Sequence, residues 1–147
     1  MIEAPATRRL AFRSHPDLPW LVLSEGVLAE LLLEPAWCAL PGASAGIYGA
    51  VNVRGTVYPV FDLLPLCGRP PAQGAPLLLI ETGQTGAAAA IHGEPRVGVW
   101  QADSATLDAD SPLANFVFGV GTFESEPACH FDHRRCFRTL GGGDDTA

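Results

Sequence analysis

Apolar and polar positions alternate early in the chain. Arg9 to Arg13 reads RLAFR, His15-Pro16-Asp17 follows, and Trp20 to Leu23 is an apolar run. Alternation with period two, interrupted by turn residues, predicts a hairpin. Beyond Ser24, the apolar residues Val27, Leu28, Leu31 and Leu32 fall at helical spacing and stop before Pro35. That spacing predicts a short helix capped by Ser24, with a strand beginning near Leu31 as the competing reading of so short a run. The next stretch, PAWCALPGASAGIYG, is rich in turn residues yet almost without hydrophilic side chains. Trp37, Leu40 and Ile47 within it must therefore be packed.

From Pro35 to Phe61 the sole charged residue is Arg54, inside AVNVRGTVYPVFDL. Its β-branched and aromatic residues predict two buried strands around Gly55-Thr56. Period two then sets Val51 and Val53 on one face and Asn52 and Arg54 on the other. Gly55 is expected to take a positive φ, and Pro59, lacking an N–H, to lie at an edge or a bulge.

Gly68 to Pro76 (GRPPAQGAP) reads as a loop and as a boundary between two lobes. Leu77 to Ile80 and Ala87 to Ile91 predict a hairpin about a GQTG turn, with a further strand at Val97 to Trp100. The acidic stretch from Ala102 to Pro112 reads as an exposed loop. Phe116 to Phe123 and Ala128 to Phe131 flank ESEP as another hairpin. Asp132 is placed to cap a terminal helix with Cys136, Phe137 and Leu140 facing inward.

Composition narrows the class. The chain has 147 residues with 16 Gly and 13 Pro, which favours short strands joined by turns over long helices. The length fits one domain over residues 1–140, with 141–147 as a flexible acidic tail. Nine Arg against 16 acids give a net charge of -7, which argues against nucleic acid as a partner. No segment reads as a signal peptide or a membrane span, so a cytoplasmic protein without direct membrane insertion is expected. Four Cys in that setting are expected to be reduced.

Few residues suggest chemistry. CHFDHRRC gathers Cys129, His130, His133 and Cys136 within eight residues, the donor types zinc takes, which makes a zinc-stabilised binding module the alternative function. Structural zinc sites usually join two separated ligand pairs, however, and a helix here turns Cys136 toward the apolar side. No nucleophile elbow, HExxH or phosphate loop is present, so no catalytic residue is assigned, no enzyme is expected and no cofactor is implied. Arg54 stands apart. A lone guanidinium in so apolar a stretch must either pair internally, with Asp62, Glu30 or Glu34, or be presented at an exposed turn to another protein.

The block LPGASAGIYGAVNVRGTVYPVFDLLPLCG, Leu40 to Gly68, resembles the signature region of CheW-like domains. Asn52, Arg54, Gly55, Pro59, Val60, Asp62 and Leu63 fall on that pattern at its spacing. RLAFR, WLVL and Glu30 upstream, and LLLIETG, AAAAI and FVFGVGTF downstream, follow the family's order of elements. IHGEPRVGV departs from it, with a Gly and a Pro interrupting the expected strand. The resemblance implies two small SH3-like five-stranded β-barrel lobes around a shared hydrophobic core, with short helices, and a strand rather than a helix near Leu31 to Leu33. It also implies a non-catalytic adaptor coupling the cytoplasmic tip of methyl-accepting chemoreceptors to the regulatory domain of a CheA-type histidine kinase. Carried over, Arg54 and Gly55 match the contact turn, Asn52 supports it, Glu30 matches the receptor-side glutamate, and Asp62 completes the protein-binding set. Compact members of this kind also occur in chemosensory systems controlling type IV pili and twitching motility.

Overall fold

A computed structural model describes residues 5–35, 37–39, 47–72 and 76–141. Within them the strands are β1 (Thr7–Arg13), β2 (Trp20–Val22), β3 (Ala29–Leu32), β4 (Trp37–Ala39), β5 (Ile47–Val53), β6 (Thr56–Phe61), β7 (Leu77–Ile80), β8 (Ala87–Ala90), β9 (His92–Ala102), β10 (Val117–Phe123) and β11 (Glu126–Phe131). One α-helix, α1 (His133–Leu140), follows. Short 3-10 turns at Pro65–Cys67, Gly83–Thr85 and Ala114–Phe116 are the other helical pieces. The fold is mainly β in two lobes, as expected. The first lobe is a closed barrel in the order β1-β2-β11-β10-β9, and the second is a six-stranded sheet, β3-β7-β8-β6-β5-β4, where five strands were expected.

The lobes are nested. The chain leaves the barrel after β2, builds the whole second sheet, and returns at β9. The loop after Gly68 therefore joins β6 to β7 inside the second lobe, and the expected boundary at 68–76 is displaced to either side of that sheet. Each lobe contains one parallel pairing, β2 with β11 and β6 with β8. The predicted tail from 142 onward, and Leu40 with it, lie outside the described residues.

Packing explains the buried runs that show no alternation. In β7 and β8, Leu77, Leu79, Ala88 and Ala90 face the interior of the second lobe, while Leu78, Ile80, Ala87 and Ala89 face a core shared with the barrel. Both faces being covered, every position is apolar. Phe12 and Phe131 from the barrel, Phe61 from the second sheet and Phe137 from α1 meet in that shared core. Phe61 stacks on Phe137 at 4.7 Å between ring centroids, and Phe12 meets Phe131 edge-on at 5.8 Å. The Asp132 carboxylate accepts from the Arg135 N–H and caps α1, which turns Cys136 and Phe137 inward as expected.

Three further expectations change. Residues 29–32 form β3, not a helix, because β7 offers a complete antiparallel partner from Ala29↔Ile80 to Leu32↔Leu77. Tertiary pairing overrides helical spacing in so short a run. β9 runs through the Gly and Pro of HGEPR for eleven residues. The shift in register between Ala11↔Arg96 and Arg13↔His92 absorbs them as a bulge, with Gly93 at φ 68°. Pro59 lies within β6, which has neighbours on both sides, but the β8 ladder begins only at Val60.

Candidate functional site

The β5–β6 hairpin turns on Arg54 and Gly55, one residue earlier than the sequence suggested, because Val53 pairs with Thr56 and leaves only two residues between the strands. Their φ angles are 51° and 90°, both positive, as a two-residue turn that follows strand twist requires. Gly55 meets this without a steric cost, and Arg54 is forced into the left-handed region beside it. The Asn52 Oδ1 accepts from the Gly55 N–H at 2.9 Å and fixes the turn from within. Val51 and Val53 point into the lobe while Asn52 is exposed, the alternation read from the sequence.

The guanidinium is both paired and presented. Arg54 Nη1 donates to Glu30 Oε2 at 3.0 Å and Nη2 to Glu30 Oε1 at 2.7 Å, a two-pronged bond. The side chains remain 66% and 43% exposed, so the pair lies at the surface. Of the three counter-ions considered, Glu30 is the partner. Hydrogen bonds from Arg54 hold the Glu30 carboxyl below its ordinary range, and Glu30 raises Arg54 in turn.

Glu30 stands on β3, at one edge of the second sheet, whereas β5 lies next to the opposite edge. The pair therefore spans the gap left where the sheet curls without closing. A shallow groove of about 310 Å³ runs beside it, between Leu32 to Pro35 on one wall and Val51 to Arg54 on the other. Leu33 and Val57 are 65% and 64% exposed, an apolar margin the sequence reading did not single out. In Val57 the signal was present, because it shares the outward face with its partner Asn52.

The remaining candidates are elsewhere. Asp62 is buried, and its two oxygens accept from the Leu64 N–H at 2.9 Å and the Ala72 N–H at 2.7 Å. Burial raises its carboxyl above the usual range, partly offset by those two bonds. It anchors the β6–β7 loop and offers no surface to a partner, which corrects its place in the binding set. The Cys129 to Cys136 cluster does not assemble either. Neighbours on a strand face opposite ways, so Cys129 enters the shared core while His130 bonds Ser24 Oγ at 2.8 Å. His133 Nε2 engages Glu81 Oε2 at 2.8 Å, and Cys136 is buried. Burial pushes the Cys136 thiol up to about 12 and raises Cys129, so both are neutral thiols in the core. Among the described residues no group of three or more His, Cys, Asp or Glu is placed to hold a metal.

A network the sequence did not reveal ties the lobes together. Glu81, just after β7, receives His133 and also Arg134, whose Nε and Nη2 bond its two oxygens at 3.0 and 2.7 Å. These bonds, led by Arg134, hold its carboxyl down to about 2.

Comparisons with known proteins agree with this architecture. The crystal structure of the scaffolding protein TtCheW from Thermoanaerobacter tengcongensis superimposes with a TM-score of 0.62 at 16% identity, covering 92% of this chain and 91% of that one. No match is found among curated proteins. The model of the CheW-like domain matches residues 20–139, the span from β2 into α1 that includes the Arg54 turn and its Glu30 partner, and the chain belongs to the CheW-like domain family.

Proposed function

We propose that this chain is a non-catalytic adaptor of a bacterial chemosensory system, coupling the cytoplasmic tips of methyl-accepting chemoreceptors to the regulatory domain of a CheA-type histidine kinase. Membership of the CheW-like family supports the scaffold role. The observation that carries the finer reading is the Arg54 turn. A guanidinium is fixed by Glu30 and Asn52 in a rigid two-residue turn, stays 66% exposed, and borders the apolar margin of Leu33 and Val57. A pre-set arginine beside exposed apolar side chains is the usual composition of an energetic centre in a protein interface. Asn52 and Gly55 act by shaping the turn, and Glu30 by orienting the guanidinium. Among the described residues no helix is long and apolar enough to cross a membrane. The cytoplasm is the proposed location.

Calorimetric titration against the cognate kinase's regulatory domain and a receptor tip fragment tests this. Arg54→Ala is expected to weaken binding to at least one of them roughly ten- to hundredfold while the circular dichroism spectrum stays unchanged. Absence of binding to both by the folded wild-type chain would refute the coupling role. Unfolding of Arg54→Ala would instead make the Arg54–Glu30 pair a structural clasp.

A further inference from the structure

The barrel lobe uses its arginines differently. Arg13, at the end of β1, and Arg96, on β9, both lie over the indole of Trp20, their guanidinium carbons 4.4 and 5.1 Å from the ring centroid. The ring is held from other sides: Phe123 packs against it at 5.2 Å, and its Nε1 donates to Glu126 Oε2 at 2.9 Å. Trp20 is only 3% exposed, so the two cations form the outer layer of a fixed platform. Among the described residues, neither guanidinium has a carboxylate within 4.0 Å, whereas Arg54, Arg69 and Arg134 each have one. Two guanidinium groups thus share one ring with no direct ion pair among the described residues, in a chain whose acids outnumber its arginines by 16 to 9. Both guanidinium groups therefore keep donors free for an external carboxylate.

We propose that Arg13 and Arg96 form a docking site for a single Asp or Glu side chain, carried on a partner protein between apolar neighbours. Arg13 and Trp20 line a groove of about 540 Å³ that continues past Leu18, Leu107 and Pro127, where those neighbours would rest. Asp17, Asp108 and Glu126 also line it. They oppose every added negative charge, and a run of acidic residues more than a single carboxylate. The same three acids, with the net charge of -7, disfavour nucleic acid and anionic lipid. Planar guanidinium groups match a carboxylate in two-pronged geometry, and with the ring already fixed little ordering is required on binding. This site stands apart from the Arg54 turn and does not depend on its role.

The test is an NMR titration of the isotopically labelled chain with acetyl-Leu-Glu-Leu-amide, following the Trp20 Nε1–H and the Arg13 and Arg96 Nε–H signals. Those signals are expected to shift saturably. Affinity is expected to fall roughly tenfold for acetyl-Leu-Gln-Leu-amide and for Arg96→Gln, and further for Arg13→Gln combined with Arg96→Gln. The single exposed change at Arg96 keeps the test valid if the double variant misfolds. Equal shifts with the glutamine peptide, unchanged affinity in Arg96→Gln, or no shift at all would overturn the proposal. So would inorganic phosphate binding as tightly as the glutamate peptide, or a tetraglutamate peptide binding more tightly.

Discussion

Two glutamate–arginine pairs in this molecule share a geometry and differ in setting. Arg54 on Glu30 and Arg134 on Glu81 are both two-pronged, each with a closest approach of 2.7 Å. Glu30 is 43% exposed, but Glu81 is 15% exposed and also receives His133, itself 5% exposed. Glu81 adopts a φ of 65°, a conformation that costs a non-glycine residue about 1–2 kcal/mol and persists here because three bonds fix its carboxylate. The first pair orients a surface cation. The second fastens α1, which follows the last barrel strand, to the second sheet. Distances alone would have ranked them as equals; burial and the number of partners separate them.

Removing each glutamate tests that separation. Glu81→Ala strands the buried His133 and releases α1, and is expected to cost about 1–3 kcal/mol in urea denaturation. Acid should act on the same pair. A carboxyl held at about 2 when folded and at 4.5 when unfolded contributes stability that is complete above 4.5 and is lost as the pH falls toward 2. Thermal midpoints measured between pH 6 and pH 2.5 should therefore decline, and Glu81→Gln should flatten part of that decline. The smallest effect belongs to Glu30→Gln, whose midpoint at pH 7 should stay within about 2 °C of wild type. A larger drop for Glu30→Gln than for Glu81→Ala would reverse the assignment of the two pairs.

The sequence exposed one of these pairs and hid the other. Arg54 stood out as a lone charge in an apolar stretch, and Asn52 and Gly55 marked its turn. Its partner could only be narrowed to three acids, since Glu30 lies 24 residues away and meets Arg54 through the curl of the sheet. Arg134 and Glu81 are 53 residues apart with no local pattern linking them. Strand alternation also works against proximity in sequence. Cys129 and His130, adjacent in the chain, were grouped as ligands, yet a strand sends adjacent side chains apart. At β3 helical spacing misleads while the competing strand and the family resemblance hold, because four residues are too few to distinguish a period of 3.6 from one of two without knowing that β7 is alongside.

The nesting of the lobes bears on how the chain is made. β2 pairs with β11 across more than a hundred positions, as the bond from Trp20 to Glu126 spans 106 residues. As the chain emerges from the ribosome, β3 to β8 can assemble while β1 and β2, able to pair only with each other, still wait for β9 and β11. The apolar face of Trp20 to Leu23 is then without cover until the last strands are released. Such long-range closure is slow. Truncation before β11 would leave β2 as an open edge, the kind of exposed strand that invites pairing with another chain.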